Sequence, residues 1–165
     1  YQFYALSSQL GRSFYYFIFR GIPIFAVMVA FFPWEGPHSF LAFILFLPSL
    51  ALGVVITFSL RFLVGISAFW FLDTKGFRAI VMGAGTFLSG FMLPISFFPS
   101  GFAKVCEWMP FVGQSYIPVA IYLGKYTGMV MMNMLIRQVG WTIILIVTGK
   151  ILMSMAVRKL VIQGG

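Results

Sequence analysis

Residues 39–72 carry a single charged side chain, Arg61, within an otherwise apolar run. A helix needs about 20 apolar residues to cross the hydrocarbon core of a bilayer. This run is longer than one upright span, so it is expected to tilt, to bend near Pro48, or to lie in the interface after Arg61. A soluble fold has no place for it. Hydrophobic residues make up 61% of the chain and charged residues 8%, against about 45–50% and about 25% in ordinary globular domains. Mean hydropathy is +1.02. Eleven basic and three acidic side chains cannot cover that much apolar surface, so lipid is the solvent for most of the chain. The net charge of +8 would suggest nucleic acid in a soluble protein. Here the basic residues are dispersed between apolar runs, and membrane topology accounts for them. No nucleic-acid partner is expected.

The reading is an all-α integral membrane protein with four transmembrane helices, over residues 13–32, 39–72, 77–95 and 129–156, plus an outer re-entrant helical hairpin over residues 97–125. The polar turns "PWEGPH" (33–38) and "DTKGFR" (73–78) separate the first three spans. One side then holds Arg12, Arg20, Lys75, Arg78, Arg158 and Lys159 with Asp73. The other holds Lys104, Lys125, Glu35, Glu107 and His38. The positive-inside rule places both ends of this segment in the cytoplasm. Trp34, Trp108 and Tyr126 fall near the outer interface. Small residues let helix backbones approach in lipid, which marks Ala79, Gly83 and Gly90, Gly85 with Ser89, and Ser49 with Gly53 as packing faces. The sequence opens at Tyr1 without an initiator Met, as expected of a piece of something longer.

"FLSGFMLPISFFPSGF" (87–102) opens as a buried helix and then meets Pro94 and Pro99. The following "SGFAKVCEWMPFVGQSYIPVAIYLGKY" is apolar in nearly every turn, yet Pro110 and Pro118 divide it into pieces too short to cross. One short helix is predicted from Pro99 or Ser100, with Phe102, Val105, Cys106 and Met109 on one face. A second is predicted over residues 116–123. Such a hairpin is allowed at membrane depth only where protein or water satisfies its backbone. On this reading Pro94 and Pro99 stop the third helix, and Pro94, Pro99, Trp108, Pro110 and Pro118 shape an outer gate. The alternative is an amphipathic surface loop that only connects two spans.

Catalytic constellations are absent. His38 is the only histidine, so an HExxH motif or a His-rich metal site is excluded. Glu35, Asp73 and Glu107 fall on different loops, which leaves no paired acid and base. Neither Gly124–Lys125 nor Gly149–Lys150 is followed by Ser or Thr, so no phosphate-binding loop is present. No catalytic, cofactor-binding or metal-binding residue is expected, and any energy must come from another chain. Cys106 is the single cysteine. Arg61 either lines a pathway or subunit seam, or snorkels to the inner headgroups. Arg12, Asp73, Lys75 and Arg78 face the side where a cytoplasmic partner would dock. A non-transporting membrane scaffold or assembly subunit explains the spans equally well, but not the broken hairpin. An ion-driven carrier would be expected to hold acidic residues within its spans, and none is expected there.

The "LPISFFP" turn, the "WMPFVGQSYIPVAIYLGK" segment, the final span and the closing "RKLVIQGG" occur in an order that resembles the permease subunits of ABC-2 type transporters. The nearest branch is the bacterial ABC-2 family transporter protein. The resemblance covers nearly the whole chain. It implies a six-span permease of which this chain is the C-terminal two-thirds, in a single transmembrane domain lacking the N-terminal spans. It further implies a homo- or heterodimer of permeases, a separate ABC ATPase subunit, a bacterial cytoplasmic membrane location and export of a substrate.

Overall fold

In the computed structural model the described residues are 7–8, 11–12, 14–31, 36–69 and 75–163, with only the backbone described at 68, 75 and 159–163. They are helical or irregular, with no strand among them. The chain divides into two compact units, Tyr1–Gly36 and Pro37–Gly165.

The first unit holds one apolar helix, α1 (Phe14–Phe31), within the span expected over 13–32. From Ile22 to Phe31 it is apolar on all sides, the composition of a helix solvated by lipid or by other helices. Its second turn is a π-helix, Phe17–Gly21, in which the Ile22 N–H donates to Phe17 O. Pro23 follows and cannot donate back to the preceding turn, so the ladder widens locally where the sequence removes a donor.

The second unit is built on two long helices. Helix α2 (Phe40–Ile66) starts where Ser39 Oγ accepts a hydrogen bond from the Ala42 N–H at 3.1 Å, a serine N-cap. It runs through Pro48 and continues as a 3₁₀ turn, Ser67–Phe69. Helix α3 (Lys75–Leu88) precedes two short helices, α4 (Ser100–Trp108) and α5 (Tyr116–Tyr122), with a 3₁₀ turn Pro110–Gly113 between them. Helix α6 (Gly128–Gln163) closes the chain. Helix α2 packs along α6 and along α5. Ile95, Val112, Ile117, Ile121, Met131 and Met134 form the core between them. Burying each such side chain is worth about 1.5–3 kcal/mol in water. In lipid the gain comes from packing instead.

Three helices among the described residues are long and apolar enough to cross a membrane: Phe14–Phe31, Phe40–Ile66 and Gly128–Arg158. The span expected over 39–72 ends as an α-helix at Ile66. The one expected over 77–95 is shorter, an apolar helix Gly76–Leu88. Its stop is not a proline. Ser89 and Gly90 end it, Gly90 at φ 73°, the left-handed conformation that closes many helices and suits glycine. The Ser89 side chain donates to Thr86 O at 2.8 Å, and the Ser89 N–H still donates to Gly85 O at 2.9 Å. Pro94 and Pro99 therefore begin elements rather than end one. Pro94 precedes the 3₁₀ turn Ile95–Phe97, and Pro99 is the N-cap of α4. Gly90 lies beyond the helix, and a Cβ at Gly83 would meet nothing within 4 Å. Ala79 and Gly83 are exposed and Gly90 instead abuts Ile95 and Tyr116, so these three do not form one helix–helix face, whereas Gly85 and Ser89 are buried, Gly85 against Phe111.

Candidate functional site

Helices α4 and α5 form a hairpin whose turn descends along α2. At its open end the His38 N–H donates to Tyr122 O at 3.1 Å, level with the start of α2. At its tip, a Cβ at Gly53 would come within 2.7 Å of Gln114 O and 2.9 Å of Gly113 O. Gly53 lies about 20 Å along α2 from Phe40, at about 1.5 Å per residue. The hairpin is therefore seated beside about half the length of α2, and only a residue without a side chain lets its backbone come so close.

A broken chain at that position leaves carbonyls that no helix ladder serves. Helix α6 supplies their donors from two successive turns. The Arg137 Nη1–H donates to Glu107 O at 3.2 Å, and the Trp141 Nε1–H to Trp108 O at 2.9 Å. These are the last carbonyls of α4, where a cation also meets the negative end of the helix dipole. The Arg137 guanidinium lies 5.0 Å from the Trp108 ring centroid, within cation–π range. Between them, Gln138 Nε2 donates to Gly113 O at 2.9 Å and to Ser49 O at 2.8 Å, while its Oε1 accepts from Ser49 Oγ at 2.8 Å. Gln138 is 1% exposed and Ser49 0%. On the other flank, Ser115 Oγ donates to Ser89 O at 3.1 Å, a carbonyl freed where α3 stops. Among the described residues no buried side-chain polar atom lacks a partner.

A second cluster joins both arms of the hairpin to the start of α6. Tyr126 Oη donates to Glu107 Oε1 at 3.3 Å and lies 3.2 Å from Tyr116 Oη. Lys125 Nζ donates to Tyr116 Oη at 2.6 Å. Burial, the bond to Tyr116 and the negative charge of Glu107 together push the Tyr126 phenol well above its ordinary range near 10.

The outer-gate residues expected from the sequence all lie on this hairpin or its approach, with different roles. Pro118 is buried and Pro110 half-buried at the tip. Pro94, Pro99 and Trp108 are exposed, Trp108 by 68%. Arg61 is exposed on α2 and lines a cleft of about 50 Å³ with Thr57, Thr86, Phe111 and Gln114. Arg78 is exposed on α3, and Arg12 is exposed in the first unit. Asp73, Trp34 and the side chain of Lys75 lie outside the described residues. Gln138, Ser49 and Trp141 escaped the sequence reading as site residues. The available signal for Gln138 was a neutral polar side chain within an apolar span beside Arg137. No three of His, Cys, Asp and Glu converge among the described residues.

Long apolar helices that hold a proline-broken hairpin through side-chain donors define a multi-pass membrane protein. Residues 3–164 match the family described as ABC-2 family transporter protein, and the chain belongs to that family. Its role is accordingly a permease-type one in membrane transport, a component that is not itself catalytic. No curated protein and no solved structure matches the chain.

Proposed function

We propose that this chain is the membrane permease subunit of an ATP-binding cassette exporter, driven by a separate ATPase subunit that binds it from the cytoplasm and paired with a second permease. The hairpin of α4 and α5 enters the bilayer from the outer side and acts as the gate. Helix α3 makes a broken fourth crossing: helical to about mid-depth, then irregular up to Pro99. ATP and Mg reside on the partner. Both ends of the segment face the cytoplasm of a bacterial inner membrane, the side that the excess of Arg and Lys favours.

The observation that carries this reading is the bond from Gln138 to Gly113 O. A hairpin lying on a water-exposed surface has no need of a buried amide to serve its turn. One inside the bilayer does, because an unsatisfied carbonyl there costs several kcal/mol. The test is expression from the native gene with its gene neighbours, followed by purification in mild detergent. An ATPase should copurify in stable ratio with the permease. A cysteine at Lys125 should react with an impermeant maleimide added outside, and one at Arg78 only after the membrane is opened. Purification of the permease without any ATPase, or labelling in the reverse order, would refute the assignment.

A further inference from the structure

We infer that the cleft between α2, α3 and the hairpin tip is a binding site for an anionic glycerophospholipid of the inner leaflet. Its phosphate is held by Arg61 and a glycerol ester carbonyl by Gln114. The inference rests on the reading above that the hairpin lies within the bilayer.

Donors outnumber acceptors in this cleft. The Thr57 hydroxyl donates to Gly53 O at 2.8 Å and the Thr86 hydroxyl to Met82 O at 2.9 Å, so neither proton is available to a ligand. Gln114 Oε1 lies 3.3 Å from Thr57 Oγ1. The Thr57 proton already serves Gly53 O, so at most one Gln114 N–H is engaged there, whichever way the amide is turned. At least one N–H remains, and the amide end lies against Gly85, where Nε2 is 4.0 Å from the position a Cβ would take. Arg61 has no hydrogen-bond or ion-pair partner among the described residues. No acidic side chain lines the cleft among them. A guanidinium and an amide N–H with nothing to accept from them call for a ligand with an anionic group and a neutral acceptor.

The spacing selects the ligand. Arg61 lies about 31 Å along α2 from Phe40 at about 1.5 Å per residue, so it sits near the far boundary of a hydrocarbon core about 30 Å thick. Thr57, which Gln114 touches, lies one turn deeper, about 6 Å along the helix. A glycerophospholipid presents its groups in that order: phosphate at the boundary, ester carbonyl one step inward, acyl chains beyond. Leu60, Val81, Met82 and Phe111 also line the cleft, apolar surface against which the chains can lie. Basic pockets between transmembrane helices on the cytoplasmic side are suited to such headgroups. A free phosphate ion would use Arg61 and leave the deeper donor unmet.

The experiment is native mass spectrometry of the purified protein, exchanged into mixed micelles of phosphatidylglycerol and phosphatidylcholine. Phosphatidylcholine offers the same phosphate and esters, but its tethered trimethylammonium cancels the phosphate charge and repels the Arg61 guanidinium, so wild type should retain phosphatidylglycerol over phosphatidylcholine severalfold. Arg61→Gln should abolish that preference. Arg61 is exposed, so this variant should keep the wild-type melting temperature. Arg61→Lys should keep most of the preference, and Arg78→Gln all of it. Gln114→Leu should lower retention of both lipids severalfold and leave the preference intact. The inference is overturned if Arg61→Gln binds as wild type does, if Arg78→Gln has the same effect as Arg61→Gln, or if millimolar inorganic phosphate displaces the lipid. The topology labelling at Lys125 and Arg78, run on the same membranes, separates the two claims. Correct labelling with no lipid preference removes only this site. Reversed labelling removes the reading of function as well.

Discussion

Gln138 carries more of this arrangement than any other single side chain. It joins three elements, accepting from Ser49 Oγ and donating to the carbonyls of Ser49 and Gly113. Gln138→Leu conserves volume approximately but leaves Ser49 Oγ and Gly113 O buried without these bonds. Each orphaned group costs about 1–3 kcal/mol, so the loss should be about 2–6 kcal/mol, read as a lowered unfolding midpoint in detergent. Adding Ser49→Ala removes one of the orphans. The double variant should then be less destabilised than the sum of the single ones, the sign of direct coupling. Tyr126 gives a prediction of different form. Its phenol is raised above the ordinary value near 10 by burial, then by Tyr116 and Glu107, so the folded state holds the proton more tightly than the unfolded state. The resulting stability is fully present below pH 10 and is lost as pH rises from there toward the folded value. Thermal melts between pH 8 and about pH 11 should show an alkaline fall that Tyr126→Phe makes shallower. An equal fall in both proteins would remove the cluster from any role in stability.

At the scale of elements, the hairpin is one rigid insert clamped on three sides: by Gly53 of α2, by Arg137, Gln138 and Trp141 of α6, and by Ser89 at the end of α3. Gly53→Ala puts a methyl group 2.7 Å from a backbone oxygen, closer than any relaxed contact, and neither partner is a flexible side-chain end. The whole tip must shift. Cys106, now 0% exposed, should then react severalfold faster with a small maleimide, while Gly83→Ala, with open space around it, should leave the rate unchanged. Much of this layout was legible beforehand. Pro99 and Ser100 announced a helix start, Pro110 the turn, and the length of the apolar runs announced α1, α2 and α6. Those signals are local, written in spacing and in backbone chemistry. The end of α3 was misread because two prolines are louder punctuation than one serine and one glycine, yet the chain had already turned at Gly90. The partners of the hairpin were not legible. Ser49 and Gln138 stand 89 positions apart, and nothing near either residue says which carbonyl its side chain will serve. Of the two small-residue faces of α3, Gly85 with Ser89 is occupied, by Phe111 and Ser115, while Gly83 faces open space: spacing offers a surface, and only tertiary packing decides which one is filled.

At the scale of the whole molecule, a gate and a scaffold differ in whether the hairpin must move when ATP is used. The tip is seated by hydrogen bonds, by close approaches to α2, α3 and α6 and by the apolar core around Val112, and no covalent link holds it among the described residues. Such a joint can release only where water or new donors meet the carbonyls it frees, as they would in an opened pathway. A lock should therefore stop a gate and leave a scaffold untouched. Ser115 Oγ lies 3.1 Å from Ser89 O, so the two residues are neighbours, and a cysteine pair placed there tests a reversible crosslink between hairpin and α3. In a Cys106→Ser background, Ser89→Cys with Ser115→Cys should bridge under mild oxidation. Hydrolysis of ATP by the purified permease–ATPase complex should then fall severalfold and recover with reductant, because a partner that closes on ATP cannot complete its cycle against a fixed permease. Each single cysteine should leave turnover unchanged under the same oxidation. If the bridged complex hydrolyses ATP and exports at the rate of the reduced one, the hairpin is a static brace. The permease would then open by movement of α2 and α6 around it.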